Sequence, residues 1–180
     1  MSNEWYTPRP ILELALRLMG RERITYDPCP RPGWPRRWPC ADLFCNASLC
    51  NWADRDEAHG VYPEFDAIDP DTPLTGFINP PYSYPLETIV EALSRYHEAP
   101  DPDSGRLAFL VKGDFTTNWA RMLVDHCDHL VLLRDRIKFE RGDGAAAVPP
   151  QMANFATVIF SKGPISLAGT APAVLRAFDL

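Results

Sequence analysis

The residues best suited to chemistry are Asn79, Pro80, Pro81 and Tyr82, which follow an apolar run, 76–78, that predicts a buried strand. Two consecutive prolines fix φ and remove two backbone N–H groups, so the turn presents acceptors: the Asn79 amide oxygen and the Pro80 carbonyl. Such a pair suits an exocyclic amine whose two hydrogens are held while its lone pair faces an electrophile. Tyr82 offers a flat face on which a ring can stack. Taken alone, the tetrapeptide also fits an ordinary strand-end turn.

A second segment, 24–29, has the sequence Ile-Thr-Tyr-Asp-Pro-Cys and predicts a short strand that ends at Asp27. In a sheet of parallel strands, such a carboxylate lies at the carboxyl edge, beside the crevice where cofactors bind. A sulfonium cofactor that carries an ammonium group would be attracted to it.

A third segment, 4–8, has the sequence Glu-Trp-Tyr-Thr-Pro and precedes a stretch of apolar residues at helical spacing. We expect Thr7 to cap this helix, Pro8 to take its first position and Gly20 to end it.

These segments, followed by 136–139 with the sequence Arg-Ile-Lys-Phe, resemble in their order the phage-type DNA N6-adenine methyltransferase family. The similarity spans most of the chain, and the order and spacing of the motifs carry it. The resemblance implies an α/β domain with a Rossmann-like class I methyltransferase sheet and helices on both faces. It also implies S-adenosyl-L-methionine as the methyl donor and adenine in DNA as the acceptor.

By this resemblance, the Asn79 side-chain oxygen and the Pro80 carbonyl accept the two hydrogens of adenine N6, and Tyr82 stacks on a base flipped out of the duplex. The residues implied to be catalytic are Asn79, Pro80, Pro81 and Tyr82. The residues implied to bind the cofactor are Trp5, Tyr6, Thr7, Pro8, Asp27, Pro28, Cys29 and Asn79. For Trp5 and Tyr6, a hydrophobic staple onto the first helix is the alternative.

Two basic stretches are candidates for DNA contact. The first contains Arg31, Arg36 and Arg37 interleaved with Trp34 and Trp38, and the second contains Arg134, Arg136, Lys138 and Arg141. The residues predicted to contact DNA are Arg36, Arg37, Arg136 and Lys138. Basic residues near aromatic ones suit phosphate contact and base stacking, although a solvated surface loop is the more common explanation. The net charge of −6 predicts that any contact with DNA is local and sensitive to salt.

Five cysteines are present, and four of them lie within 29–50, with His59 beyond, which raises zinc as a possibility. No Cys-x-x-Cys pair occurs, so we predict no metal and favour free thiols. Cys127 is expected to be a buried thiol.

The length of 180 residues predicts one domain, with an irregular insertion at about 30–60 and a mobile loop at about 141–151. We expect no separate target-recognition domain. The absence of a membrane-spanning run and of a signal-peptide pattern predicts a cytoplasmic protein, in a bacterial host cell if the gene is a phage gene. The sequence leaves the oligomeric state open.

The rest of the chain alternates between predicted strands and helices, which favours an α/β fold with a mainly parallel sheet. Helices are expected at 42–52, 85–98, 118–126 and 171–178. The stripe of 85–98 that faces the core is expected to consist of Leu86, Ile89, Val90 and Leu93. Strands are expected at 65–69, 76–78, 106–111, 130–133 and 152–160. No Gly-x-Gly-x-x-Gly follows the first strand, which disfavours a dinucleotide-binding domain.

Two other functions remain open from the sequence. A methyltransferase acting on an RNA base or on a protein glutamine would share the cofactor and differ in the acceptor. A non-enzymatic nucleic-acid-binding or zinc-organised module would instead bind metal and have no affinity for the cofactor.

Overall fold

A computed structural model describes residues 5–28, 43–44, 73–80, 85–99, 101–141, 151–153, 155–165 and 174–176. The helices in these ranges are α1 (Arg9–Met19), α2 (Pro85–Glu98) and α3 (Asn118–His126). The strands are β1 (Trp5–Tyr6), β2 (Tyr26–Asp27), β3 (Leu43–Phe44), β4 (Thr75–Ile78), β5 (Arg106–Lys112), β6 (His129–Leu132), β7 (Lys138–Arg141), β8 (Gln151–Met152), β9 (Thr157–Lys162) and β10 (Val174–Arg176).

The main sheet has seven strands in the order β10-β6-β9-β5-β4-β2-β3. Strands β3, β2, β4 and β5 pair in parallel, whereas β9 pairs antiparallel with both β5 and β6. β6 therefore runs in the same direction as β5, and β10 runs opposite to β6. The predicted α/β class is confirmed, and the sheet contains both parallel and antiparallel strand pairs.

The buried residues at alternate strand positions fall into two hydrophobic clusters, which places helices on both faces of this sheet. On β5, Ala108 and Leu110 pack in the cluster that contains α1. Their neighbours Leu107, Phe109 and Val111 pack in the cluster that contains α2 and α3. A sheet covered on both faces needs strands whose successive residues are all buried, as the four residues of β4 and the five central residues of β5 are.

The predicted bounds of α2 and α3 are confirmed. Ile89 and Leu93 of α2 are buried as expected, but the prediction that Val90 faces the core is wrong, because its side chain is 43% exposed. Helix α3 begins with a side-chain cap, because the Thr117 hydroxyl accepts a hydrogen bond from the Ala120 N–H.

The expected end of α1 is confirmed, whereas its expected beginning is wrong. Gly20 adopts the left-handed conformation, with φ of 61°, and its N–H points to the carbonyls of Leu16 and Arg17. At the other end, Pro8 is the flanking cap residue rather than the first helical one, and no side chain caps the helix. Thr7 therefore does not cap α1, and its hydroxyl bonds elsewhere.

Three further predictions of secondary structure are wrong. The segment 152–160 is not one strand, because β8 belongs to a small sheet and β9 to the main one. The expected helix at 171–178 contains β10, which pairs with the edge of the sheet at β6. The expected helix at 42–52 contains β3, which pairs with β2. In each case, backbone pairing with a distant strand overrides local preference.

Several predicted elements cannot be compared with the structure. The strand at 65–69, the insertion at 30–60 apart from β3, and the loop segment 142–150 lie outside the described residues. The single-domain arrangement stays a prediction. None of the helices described is long and apolar enough to cross a membrane.

Candidate functional site

The main sheet reverses its strand order between β2 and β4. From β2, the chain passes to β3 on one side, and β4 then pairs with the opposite side of β2. In open α/β sheets, ligands bind in the crevice outside the carboxyl ends of the strands at such a reversal. Asp27 lies at the carboxyl end of β2 and Asn79 directly follows β4, so both residues flank this position.

Asn79 lies at this edge because β4 ends abruptly. All four residues of β4 are buried, and the chain then reaches Asn79, which is half-buried, and Pro80, which is buried. Proline has no N–H to donate to a neighbouring strand, so the pairing with β5 ends at Ile78. The strand therefore ends at Ile78, as the sequence predicts, and the turn begins at Asn79.

The strand register places Asp27 and Asn79 on the same face of the sheet. Tyr26 is level with Gly76, so Asp27 is level with Phe77 and lies two residues before the level of Asn79. With the usual rise and strand spacing, the two Cα atoms are about 8 Å apart. Phe77 packs in the cluster that contains α1. Because side chains alternate along a strand, Asp27 and Asn79 are both on the α1 side.

A hydrogen bond joins the amino-terminal segment to this turn. The Asn79 side-chain nitrogen, Nδ2, donates to the Thr7 hydroxyl over 3.1 Å, although the two residues are 72 positions apart in the sequence. Thr7 is only 6% exposed. Thr7 lies one residue before the cap residue Pro8, and its hydroxyl accepts this bond instead of capping α1. The structure therefore brings together Thr7 and Pro8, Asp27 and Pro28, and Asn79 and Pro80.

The strand before Thr7 belongs to a small three-stranded sheet, β1-β7-β8, in which β1 pairs antiparallel with β7. Around β7, Ile137 and Phe139 are each 4% exposed and pack with α1. Arg136 and Lys138, which alternate with them, are exposed. Lys138 is the first residue of β7 and Arg136 lies two residues before it, so both exposed side chains are at the start of the strand that pairs with β1.

Gly76 allows the close packing beneath the site. A Cβ atom at this position would lie 2.5 Å from Leu107 Cδ2 and 3.3 Å from Tyr26 Cδ1. The two residues that it would crowd belong to β5 and β2, on either side of β4. A larger residue at 76 would therefore disturb the strands that carry Asp27 and Asn79.

The same edge of the sheet holds a contact that the sequence reasoning missed. Lys112 ends β5 level with Thr157, and its Nζ lies 4.8 Å from the centroid of the Phe155 ring. Phe155 is half-buried and packs against the α1 cluster. The position of Lys112 at the end of a predicted strand was the available signal. No motif marked Phe155.

Asp114 also follows β5 at this edge, but its carboxylate shapes a turn. The Thr116 hydroxyl and N–H both donate to it, over 2.6 and 3.1 Å, and these bonds lower the pKa of the Asp114 carboxyl below its usual value. A carboxylate held in its ionised form in this way is a poor general base. Asp114 therefore serves the turn, and Asp27 stays the carboxylate that is predicted to contact the cofactor.

The remaining predicted residues divide into those described only by their backbone and those not described. Trp5 and Tyr6 form β1. The residues outside the described ranges are Cys29, Arg36, Arg37, Pro81 and Tyr82. Their predicted roles stay predictions.

The cysteine-rich segment that suggested zinc also lies largely outside the described ranges. In the part of the chain that the structure describes, no group of three or more His, Cys, Asp or Glu side chains could hold a metal ion. Cys127 is buried, as predicted, and burial raises the pKa of its thiol to about 12. A buried thiol of this kind is chemically inert.

Comparison of the chain with protein-family models, with curated proteins and with solved structures finds no match in any of the three. The features of this chain that bear on function are the sheet reversal between β2 and β4 and the motifs at the ends of those strands.

Proposed function

We propose that the chain is an S-adenosyl-L-methionine-dependent DNA methyltransferase, with a Rossmann-like class I methyltransferase sheet, that methylates N6 of a flipped-out adenine. The observation that carries the proposal is the hydrogen bond between Thr7 and Asn79 beside the sheet reversal that also carries Asp27. Three segments that resemble the family's motifs are distant in the sequence, and their described residues end at the same edge of the sheet.

The residues around the crevice suit the proposed cofactor. When bound, S-adenosyl-L-methionine supplies an electrophilic methyl group on a sulfonium centre. Asp27 is half-buried, and a partly desolvated carboxylate favours a nearby cation more strongly than one in bulk water does. Thr7, Pro8 and Pro28 are the other described residues, besides Asn79, that the resemblance assigns to the cofactor. The cofactor has no phosphate, so the missing glycine-rich fingerprint does not count against it.

Asn79 and Pro80 suit a planar amine. In the described part of the chain, no hydrogen bond reaches the Asn79 side-chain oxygen or the Pro80 carbonyl. Adenine N6 is a poor nucleophile because its lone pair is delocalised into the ring. Two fixed acceptors that hold its hydrogens would favour a pyramidal nitrogen, and such acceptors act by orientation and preorganised dipoles. The proton released from N6 passes to solvent, and the turn needs no general base.

The charge distribution suits a local contact with DNA. The chain has a net charge of −6, so a broad basic face is not expected. Arg136 and Lys138 are nevertheless exposed at the start of β7, which pairs with the strand that leads to Thr7. Phosphate contacts at these two residues would place the duplex beside the crevice without specifying its sequence.

The test is transfer of radiolabelled methyl groups from S-adenosyl-L-methionine to unmethylated duplex DNA, followed by digestion to nucleosides. We expect label in N6-methyldeoxyadenosine and about a hundredfold or greater loss of turnover in Asn79→Ala, as when a preorganised hydrogen-bonding group is removed. Asn118→Ala is the matched control, because Asn118 is an exposed asparagine at the start of α3. It should retain full turnover.

Three other outcomes would each redirect the proposal. Cofactor binding without label in DNA would indicate an RNA base or a protein glutamine as the acceptor, since both present the same planar nitrogen. Bound zinc without cofactor affinity would favour the non-enzymatic module. Equal turnover by Asn79→Ala and the wild type would remove Asn79 from the reaction.

A further inference from the structure

We infer that Thr7 is a positioning residue, whose buried hydroxyl holds the Asn79 side-chain amide with its oxygen toward the substrate amine. This inference rests on the proposed function. The observation behind it is the 3.1 Å hydrogen bond in which Asn79 Nδ2 donates to Thr7 Oγ1.

An asparagine at this position needs a partner because its side chain has two unlike ends. The oxygen can accept a hydrogen from an amine, whereas the NH₂ group can only donate. A half-turn of the amide would place its NH₂ group against the N–H groups of the substrate, and no hydrogen bond could form. Only one of the two orientations is productive, and side-chain torsions of this kind are broad when unsupported.

Thr7 is well suited to provide that support, because its own position is fixed in three ways. It is 6% exposed, its side chain is β-branched, and the following Pro8 restricts its backbone to extended conformations. The Pro8 carbonyl accepts the Ile11 N–H over 3.0 Å, which ties this segment to the first turn of α1. The hydroxyl is therefore held by a helix that packs on the sheet.

The backbone of Asn79 is also fixed, because it follows the buried strand β4 and precedes a proline. The conformational freedom that Asn79 retains is therefore mainly in its side chain. In the orientation that the structure shows, Nδ2 is bonded to Thr7 and Oδ1 is the end without a protein partner among the described residues. The hydroxyl thus acts through Asn79 and not on the substrate itself.

The first experiment compares Thr7→Val with Thr7→Ser. Valine retains the shape and removes the hydroxyl, whereas serine retains the hydroxyl. We expect Thr7→Val to lower kcat at least tenfold while the Kd for S-adenosyl-L-methionine, measured by calorimetry, changes less than threefold. Thr7→Ser should restore kcat to within threefold of the wild type. A loss of cofactor affinity equal to the loss of kcat would overturn the inference, because the hydroxyl would then act on the cofactor.

A second arm uses Asn79→Asp, whose carboxylate has two equivalent oxygens and therefore no wrong orientation. Adding Thr7→Val to Asn79→Asp should lower kcat less than threefold, although it lowers the wild type at least tenfold. Such coupling between two changes indicates that one residue acts through the other. Equal losses in both backgrounds would contradict a role in orienting the amide.

A third arm does not depend on activity, and so separates this inference from the proposed function. The two Asn79 Nδ2 hydrogens are assigned by NMR from their absence in Asn79→Ala. In the free protein, we expect their exchange with water to be at least tenfold faster in Thr7→Val than in the wild type or Thr7→Ser. If the wild type transfers no methyl group, the proposed function fails, and this arm still decides whether Thr7 holds Asn79. Unchanged exchange in Thr7→Val would refute that contact.

Thr117→Val is the matched control for all three arms. It removes a threonine hydroxyl that caps α3 by accepting the Ala120 N–H over 3.3 Å, and that makes no hydrogen bond to Asn79. We expect it to lower thermal stability and to leave kcat and the exchange of the Asn79 amide unchanged. A comparable fall of kcat in Thr117→Val would assign the Thr7→Val effect to general loss of stability.

Discussion

Replacing Gly76 with alanine tests the packing that positions the site. The new Cβ atom would lie 2.5 Å from Leu107 Cδ2 and 3.3 Å from Ile78 Cδ1. The first distance is shorter than side chains tolerate, so Leu107 would have to move. Leu107 is 0% exposed and packs among Ile78, Phe109 and Tyr26, so it has no solvent to move into.

The expected cost follows from two opposing effects. Forcing an extra carbon into a well-packed core costs about 1–3 kcal/mol. Replacing glycine also restricts the unfolded chain, which stabilises the protein by about 0.4–1 kcal/mol where the backbone conformation is compatible. The net loss of unfolding free energy is therefore about 1–2 kcal/mol. For a chain of this length, that corresponds to a fall in Tm of roughly 2–8 °C.

The assay is urea unfolding followed by circular dichroism, with Gly113→Ala as the control. At Gly113 the nearest atoms to an added Cβ are 3.5 Å away, on Ala156 and Val158, which is ordinary contact. Gly113→Ala should therefore unfold at the same or a slightly higher urea concentration than the wild type, and Gly76→Ala at a lower one. Equal midpoints for Gly76→Ala and the wild type would refute the reasoning.

The same crowding also gives a double-mutant prediction. Leu107→Ala alone should cost about 2–5 kcal/mol, as is usual for truncation of a buried leucine. In that background the alanine at position 76 has room, so Gly76→Ala should cost about 1 kcal/mol less than it does in the wild type. Strictly additive costs would indicate that Leu107 is not the obstructing side chain.

Three other perturbations follow from the site and its surroundings. Asp27→Asn should weaken cofactor binding by calorimetry about tenfold or more, as expected for a lost hydrogen bond to a charged group, and unchanged affinity would remove Asp27 from the pocket. Arg136→Ala with Lys138→Ala should reduce the slope of log binding constant against log salt by about 2, and an unchanged slope would place the duplex elsewhere. For Cys127, burial raises the thiol pKa from 9.0 to about 12, so the folded state retains a proton that the unfolded state loses. Stability should therefore fall as pH rises above 9, and by pH 10 the wild type should have lost about 1 kcal/mol more than Cys127→Ala, which urea unfolding at each pH would measure. Parallel pH profiles for the two proteins would contradict this.

The sequence predicted the elements whose burial leaves a pattern in consecutive residues. The apolar periodicity of α2 and α3 and the continuous apolar runs of β4 and β5 reflect burial against the two faces of the sheet, and their bounds were predicted closely. The predictions failed for β10 and for the separation of β8 from β9. There, the outcome depends on which distant strand has an unpaired edge, and no local pattern encodes that.

The candidate site divides in the same way. The positions of Asn79 and Asp27 at strand ends could be predicted, because the proline that follows each of them ends the strand. The partnership of Asn79 with Thr7 could not be predicted. Threonine before a helix is usually a cap, and only the packing of α1 against β4 brings its hydroxyl to a side chain 72 residues away.

The use of three separate segments has a physical advantage for the proposed reaction. Asp27 is carried by β2, Asn79 by β4, and Thr7 by the start of α1, and all three elements pack in or on one sheet. Groups held by rigid elements retain their relative positions better than groups on a single loop. Displacements of about 1 Å between reacting groups can cost a hundredfold in rate. A crevice assembled from a sheet reversal and a helix therefore suits a reaction in which orientation of a weak nucleophile supplies most of the catalysis.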